Sequence, residues 1–399
     1  MPNLNLMKTT PRWLTAMLWT FAIAAVLLYA LAFLAPVSTL FPAGQAFVDI
    51  LVYKGRFTLY HSAKFFTSRA YSAFAYPAGA APVYEAFYST TNALSTYLLT
   101  TAAIVLAALI AAIAFLKSRS ATALFVPLAA ALSFPLIFLI QRANIEIVLW
   151  LLVAAGLLAY RRGLVVIAAI LFGVAAAIKL YPILLLGLFL SRRKDLPAFV
   201  VGLFMAIASM AAAIVYTGPT FLIAAKGFFT GVSRFQDHYV DVVSKVEVAF
   251  DHCLFSPLKF YAFTQHTTPA PWKPAYFFIA GTLTLLLFLR VRTFPFLNRT
   301  VFLTTAMVAL PPVSFTYTLI DLYVPAFFLV GAFLNFRTRP PATAILGLLL
   351  ILFVALPIMA ISSLSPGLPT GPIQSCALLL LLIVSAIAPW PETGIRSAA

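Results

Sequence analysis

Two basic clusters, Arg161-Arg162 and Arg192-Arg193-Lys194, bracket an apolar run over residues 163–191, and the middle of that run holds Lys179 and Pro182. As one straight α-helix the run would measure about 43 Å at ~1.5 Å per residue, against a hydrocarbon core of about 30 Å. A single crossing would also put the two clusters on opposite sides of a bilayer, which the positive-inside rule disfavours. The spacing therefore predicts two short crossings, each of roughly 14 residues, that turn at KLYP (179–182) and return both clusters to the cytoplasm. Legs that short need shielding by other helices. A lysine at such a tip is either a snorkelling marker of the interface or a functional cation. Its apolar neighbours Ile178 and Leu180 favour burial among helices.

The surroundings of this hairpin are of one kind. The chain is 63% hydrophobic and 9% charged, with mean hydropathy +1.04. That is the composition of a polytopic membrane protein, expected here as a single all-α domain over residues 1–399. Two cysteines suit neither a disulfide framework nor a thiolate metal site. The net charge of +16 belongs to membrane topology and not to nucleic-acid binding. The apolar run after Lys8 and Arg12 is long for a signal peptide and is expected to be a retained anchor.

Taken in order, the pattern predicts about twelve crossings with both termini inside. Helices are expected near 13–35, 89–116, 120–140 and 147–160, followed by the short hairpin. The rest fall near 196–216, 275–289, a second interrupted hairpin over 300–335, 342–361 and 373–390. Two long segments, 36–88 and 217–274, lie outside, as does a Ser/Pro/Gly loop at 362–372. The first holds Asp49 and an amphipathic stretch (47–66) suited to a helix lying in the interface. Under this layout the inner side carries fifteen basic residues and two acids, Asp195 and Glu392. The outer side carries the other eight acids and all four histidines. Acid–base chemistry is therefore expected on the outer face.

Three constellations stand out there. Asp49, set among Phe47, Val48, Ile50 and Leu51, suits a general base, or else an interfacial acid paired with Lys54 or Arg56. Arg142, Asn144 and Glu146 share a turn between spans. Arg142 is placed to hold a phosphate bidentately, or to pair with Glu146 at i, i+4 spacing. Lys179 offers a point charge to the same kind of ligand, with Tyr181 beside it. The second outer segment contains Asp237-His238 and Asp251-His252, a spacing that matches no metal-ligand pattern. His252 is better read as an acceptor or phosphate contact. No Walker motif, GxGxxG or nucleophile elbow is present.

The segments QRANIE (141–146) and GVAAAIKLYP (173–182) with its Leu-rich continuation to Arg192, FDHCLFS (250–256), and PPVSFTY (311–317) together resemble glycosyltransferase family 87 of the C-type membrane glycosyltransferases. Many relatives carry Trp-Glu-His after the serine, where this chain has Phe315-Thr316-Tyr317, so no histidine role is carried over at that point. The resemblance implies an inverting transfer of a hexose, typically mannose. The donor would be a polyprenyl-phosphate sugar and the acceptor a glycan or lipid outside the cytoplasm, with no nucleotide and no cofactor or metal. It implies Asp49 as the general base, Lys179, Arg142 and His252 at the donor phosphate, and Asn144, Glu146, Tyr181, Asp251, Tyr317 and Asp321 around the substrates. Membrane lipids are the other expected partners, in a cell inner (plasma) membrane. The alternative is a transporter or flippase for a lipid-linked substrate, since paired interrupted hairpins are also a transporter signal.

Overall fold

The computed structural model describes residues 11–34, 46–68, 74–116, 129–241, 243–335, 340–358 and 369–390. The expected start of the third helix (120–128), the basic positions Lys117, Arg119, Arg337 and Arg339, and most of the 362–372 loop lie outside the described residues. Among the described residues six helices are long and apolar enough to cross a membrane: Arg12–Leu31, Ala93–Ala114, Arg193–Thr217, Ala270–Val291, Thr316–Leu334 and Thr370–Ile387. Four shorter apolar helices join them: Val165–Ile178, Tyr181–Ser191, Phe296–Ala309 and Ala342–Ala355. The chain is an all-α, multi-pass membrane protein.

The hairpin over 163–191 forms as its spacing predicts, with one difference. Its first leg, Val165–Ile178, is a 14-residue α-helix, and its second, Tyr181–Ser191, is an 11-residue 3-10 helix. At ~1.5 and ~2.0 Å rise per residue both legs come to about 21–22 Å, which lets them return to the same side. Extended backbone at Lys179 ends the first leg, and Pro182 opens the second. The first leg packs between Glu146–Arg161, Leu196–Thr217 and the second leg. Its fit to Leu196–Thr217 is close: a Cβ on Gly173 would lie 2.4 Å from the Gly202 carbonyl oxygen.

The second hairpin is the core of the molecule. Residues Leu297–Ala309 are buried throughout Phe296–Ala309, and the return leg begins as a buried 3-10 helix, Thr316–Leu322, before continuing as Tyr323–Asn335. A polar network joins the two hairpins at the ends away from their tips. Arg299 donates to Ser191 Oγ, and Tyr160 donates to Asp195 at 3.3 Å. Arg299 is thus a buried tie and not an exposed anchor.

The first outer segment departs from a single interfacial helix over 47–66. It makes three short turns, Val48–Leu51, Lys54–Phe57 and Lys64–Thr67, followed by the helix Ala80–Tyr88. The cause is its aromatic content. Tyr53, Phe57, Phe65, Phe74 and Tyr84 pack edge-to-face on one another, with Tyr53 5.1 Å from Phe74 and Phe57 5.2 Å from Phe65. They make the outer edge of the main hydrophobic core, and Arg56 is buried among them, donating to the carbonyls of Phe65 and Ser68. The second outer segment holds a true amphipathic helix, Phe221–Gln236, which buries Ala224 and Phe228 and exposes Leu222 and Phe229.

Candidate active site

Asp49 sits in the turn Val48–Leu51, directly after Phe47, whose φ of 57° is left-handed. The Phe47 amide donates to the Gln141 carbonyl at 2.6 Å, which binds this turn to the end of helix Phe134–Arg142. That helix stops at Ala143, also left-handed at φ 52°. Two non-glycine residues in this sparsely populated region therefore frame the polar side chains between them. Tyr97, fully buried, donates to the Asn144 carbonyl at 3.0 Å and supports the turn from behind.

Asn144 is the hub. Its side-chain amide donates to Asp49 Oδ2 at 2.8 Å and to the Tyr76 hydroxyl at 3.0 Å. Its oxygen accepts from the Glu146 amide at 2.9 Å and from Lys179 Nζ at 3.1 Å. Every hydrogen-bonding position of this fully buried amide is used or shared. Arg142 donates to Asp49 Oδ1 at 2.7 Å, and Lys179 forms an ion pair with Glu146. Tyr181 also donates to Glu146. Neither local pairing open to the sequence occurs: Asp49 is not paired with Lys54 or Arg56, and Arg142 is not paired with Glu146. The partners are instead distant in the chain, because the tertiary fold brings three segments to one depth.

The Lys179 ammonium also faces three rings, those of Tyr317 at 5.0 Å, Tyr76 at 5.5 Å and Tyr181 at 6.0 Å. Tyr76 was not among the expected site residues. Its signal in the sequence was only a Tyr-Pro pair, which reads as a helix breaker. Burial holds the Tyr76 phenol well above its ordinary range, so it stays a neutral hydrogen-bonding group. The segment carrying it docks on the hairpin tip through Gly79, whose amide donates to the Ala177 carbonyl at 3.1 Å. A Cβ at Gly79 would meet that same oxygen at 2.5 Å, so only glycine fits. Asp321, on the 3-10 leg of the second hairpin, is fully buried next to the Glu146 carboxylate.

Asp251 and His252 form a second buried cluster around the other hairpin tip. Asp251 Oδ1 accepts from the amides of Cys253 at 3.1 Å and Ser314 at 2.9 Å, and Oδ2 pairs with Lys259. Both members of that pair are fully buried. Asp251 also bridges Phe315 in an antiparallel backbone pair. His252 Nε2 lies 3.2 Å from Ser314 Oγ and 3.3 Å from Thr318 Oγ1. Burial pushes the His252 imidazole down to about 4, against the raising influence of Asp251. A neutral, enclosed imidazole supplies no positive charge to a phosphate, and a carboxylate with three internal donors has little left for a substrate. His252 and Asp251 thus form a latch between the second outer segment and the PPVSF tip. Lys259, Ser314 and Thr318 complete that latch and were not singled out from spacing alone.

The two clusters meet through rings. Phe138 stacks on Phe250 at 4.7 Å and on Tyr317 at 6.1 Å. Among the described residues no group of three or more His, Cys, Asp or Glu side chains is arranged to hold a metal ion.

Comparison with known proteins bears on this geometry directly. Residues 73–251 match the model of glycosyltransferase family 87. The matched region contains Tyr76, the 142–146 turn and the Lys179 hairpin; Asp49, Tyr317 and Asp321 lie outside it. No curated protein matches the chain.

Proposed function

We propose, from the premise that this chain belongs to glycosyltransferase family 87 through residues 73–251, that it is a membrane glycosyltransferase moving a hexose, typically mannose, from a polyprenyl-phosphate sugar to a glycan or lipid acceptor outside the cytoplasm. The observation that carries this reading is the convergence of Asp49, Arg142, Asn144 and Lys179 at the tip of a hairpin too short to span a bilayer. In this reading Asp49 takes the proton of the acceptor hydroxyl as that oxygen attacks the anomeric carbon from the face opposite the phosphate. The glycosidic C–O bond to the phosphate breaks in the same step, which inverts the centre. Arg142 and Lys179 receive the growing negative charge of the leaving phosphate. Both cations are paired with carboxylates before the donor arrives, which offsets part of the desolvation each suffers in a low-dielectric site, and they re-aim when the phosphate competes for them. Glu146 and Tyr181 hold Lys179 in place, Tyr317 faces its ammonium, and Asp321 sits buried beside Glu146 as a further acceptor for sugar hydroxyls. A prenyl chain fits the setting because its head meets the tip while its tail stays among the helices.

The donor class is tested by offering purified protein a mannosyl prenyl phosphate and a nucleotide sugar in turn. The prenyl-phosphate sugar supports product without added metal, and the nucleotide sugar does not. Turnover with the nucleotide sugar sinks the reading. Facilitated movement of the lipid across vesicles with no covalent product favours the flippase alternative instead.

A further inference from the structure

The second outer segment and the PPVSF tip share a string of aromatic rings that leads from the surface to the charged cluster. Its outer end is the π-helical turn Asp237–Asp241, where Tyr239 lies 4.6 Å from Phe235 and 4.7 Å from His238. Tyr239 meets Phe315 edge-on at 5.7 Å, Phe315 lies 6.0 Å from Tyr317, and Tyr317 faces Lys179 at 5.0 Å. Exposure falls along the string: His238 is exposed, Phe235, Tyr239 and Phe315 are half-buried, and Tyr317 is buried. Both ends of the outer part are fixed. Asp241 is held by Lys273 at 2.7 Å, and Phe315 is held by its backbone bridge to Asp251. None of the half-buried rings belongs to the aromatic cluster of the first outer segment, and Gln236, Asp237 and His238, next to Tyr239 in the chain, are exposed.

We propose that this string is the acceptor subsite and that its occupant is a carbohydrate chain. Half-open rings one after another, leading inward to the buried Tyr317 and flanked by exposed polar residues, suit pyranose units, which present an apolar C–H face to a ring and hydroxyls to polar neighbours. A lipid tail would be poorly matched to a surface carrying the exposed Gln236, Asp237 and His238. The sugar nearest Tyr317 presents its hydroxyl to Asp49, while outer units rest on Phe315 and Tyr239. The proposal rests on the glycosyltransferase reading above.

The test uses methyl α-mannoside, a methyl dimannoside and a methyl trimannoside as acceptors for mannosyl prenyl phosphate, with binding of a fluorescent trimannoside measured separately without donor. Tyr239→Ala and Phe315→Ala are expected to raise KM for the trimannoside by about threefold to tenfold and to weaken its binding equally. KM for the donor and for methyl α-mannoside stays near wild type, and so does kcat. Tyr239→Phe and Phe315→Tyr restore the trimannoside values, and Phe315→Leu, which keeps bulk without a ring, does not. Unchanged trimannoside binding in both alanine variants overturns the subsite. So does an equal loss with the monosaccharide, dependence on the length of an alkyl aglycone, or failure of the wild-type protein to bind trimannoside. Ring-dependent binding with no transfer from any prenyl-phosphate sugar would instead leave the subsite standing and sink the catalytic reading.

Discussion

At the scale of the residue, Asp49 carries the sharpest expectation. Asp49→Asn keeps the size and an acceptor for Arg142, loses the acceptor for Asn144 and removes the base, so turnover should fall by about 10²-fold or more while donor KM changes little. A fully active Asp49→Asn protein would end that assignment. Asn144→Asp is a change of one atom type with a larger consequence. It replaces the two N–H donors to Asp49 and Tyr76 by an acceptor and sets carboxylate against carboxylate. Activity should be lost while Asn144→Ser, which keeps a donor, retains part of it. His252 sets a pH dependence. Its folded value of about 4 lies below the ordinary 6.5, so the stability gained by burying it neutral is fully present above 6.5 and lost as pH falls through about 4. The loss is about 3 kcal/mol if nothing else titrates. Thermal midpoints in detergent between pH 7 and 4 should decline less steeply in His252→Gln than in the wild type; parallel profiles would remove the histidine from the account.

At the scale of the element, the site depends on how three separate pieces dock. The first outer segment meets the hairpin through the close approach of Gly79 to Ala177. Gly79→Ala forces those backbones apart, with an expected cost of about 1–3 kcal/mol and a loss of activity greater than the loss of folded protein. Activity proportional to folded yield would show that this docking does not position Asp49. The latch at the second tip is a buried ion pair. Lys259→Met strands the Asp251 carboxylate and should cost about 3–5 kcal/mol, whereas Asp251→Asn combined with Lys259→Met should cost less than Lys259→Met alone. The hairpin itself was legible: its length, its flanking charges and its Lys-Leu-Tyr-Pro centre leave few other foldings. The first outer segment was not. An amphipathic pattern cannot distinguish a face turned to lipid from aromatic residues turned to one another, and Tyr53, Phe57, Phe65 and Phe74 chose the latter.

At the scale of the whole molecule, the long-range pairings separate what the chain says from what the fold decides. The charge distribution of the sequence sets the expected orientation, and this can be read with cysteine probes. In a Cys376→Ser background, Gln265→Cys should label only from outside and Arg292→Cys only from inside. The reverse pattern would overturn the outward-facing site. By itself the sequence determined the all-α membrane class and the two interrupted hairpins, and it set the bounds of such helices as Arg12–Leu34 and Glu146–Arg161, whereas the expected 120–140 helix is described only as Phe134–Arg142 and the expected 342–361 helix ends at Ala355. These follow from apolar run lengths and from the cost of charge in lipid, both of which are local along the chain. Only the tertiary structure decided the partners. Asp49 met Arg142 and not Lys54, Glu146 met Lys179 and not Arg142, and Tyr76 joined a cluster that nothing in its own neighbourhood announced. Those choices depend on which segments arrive at the same depth, and depth is set by helix packing and by backbone approaches such as Gly79 on Ala177. Local spacing along the chain cannot express them.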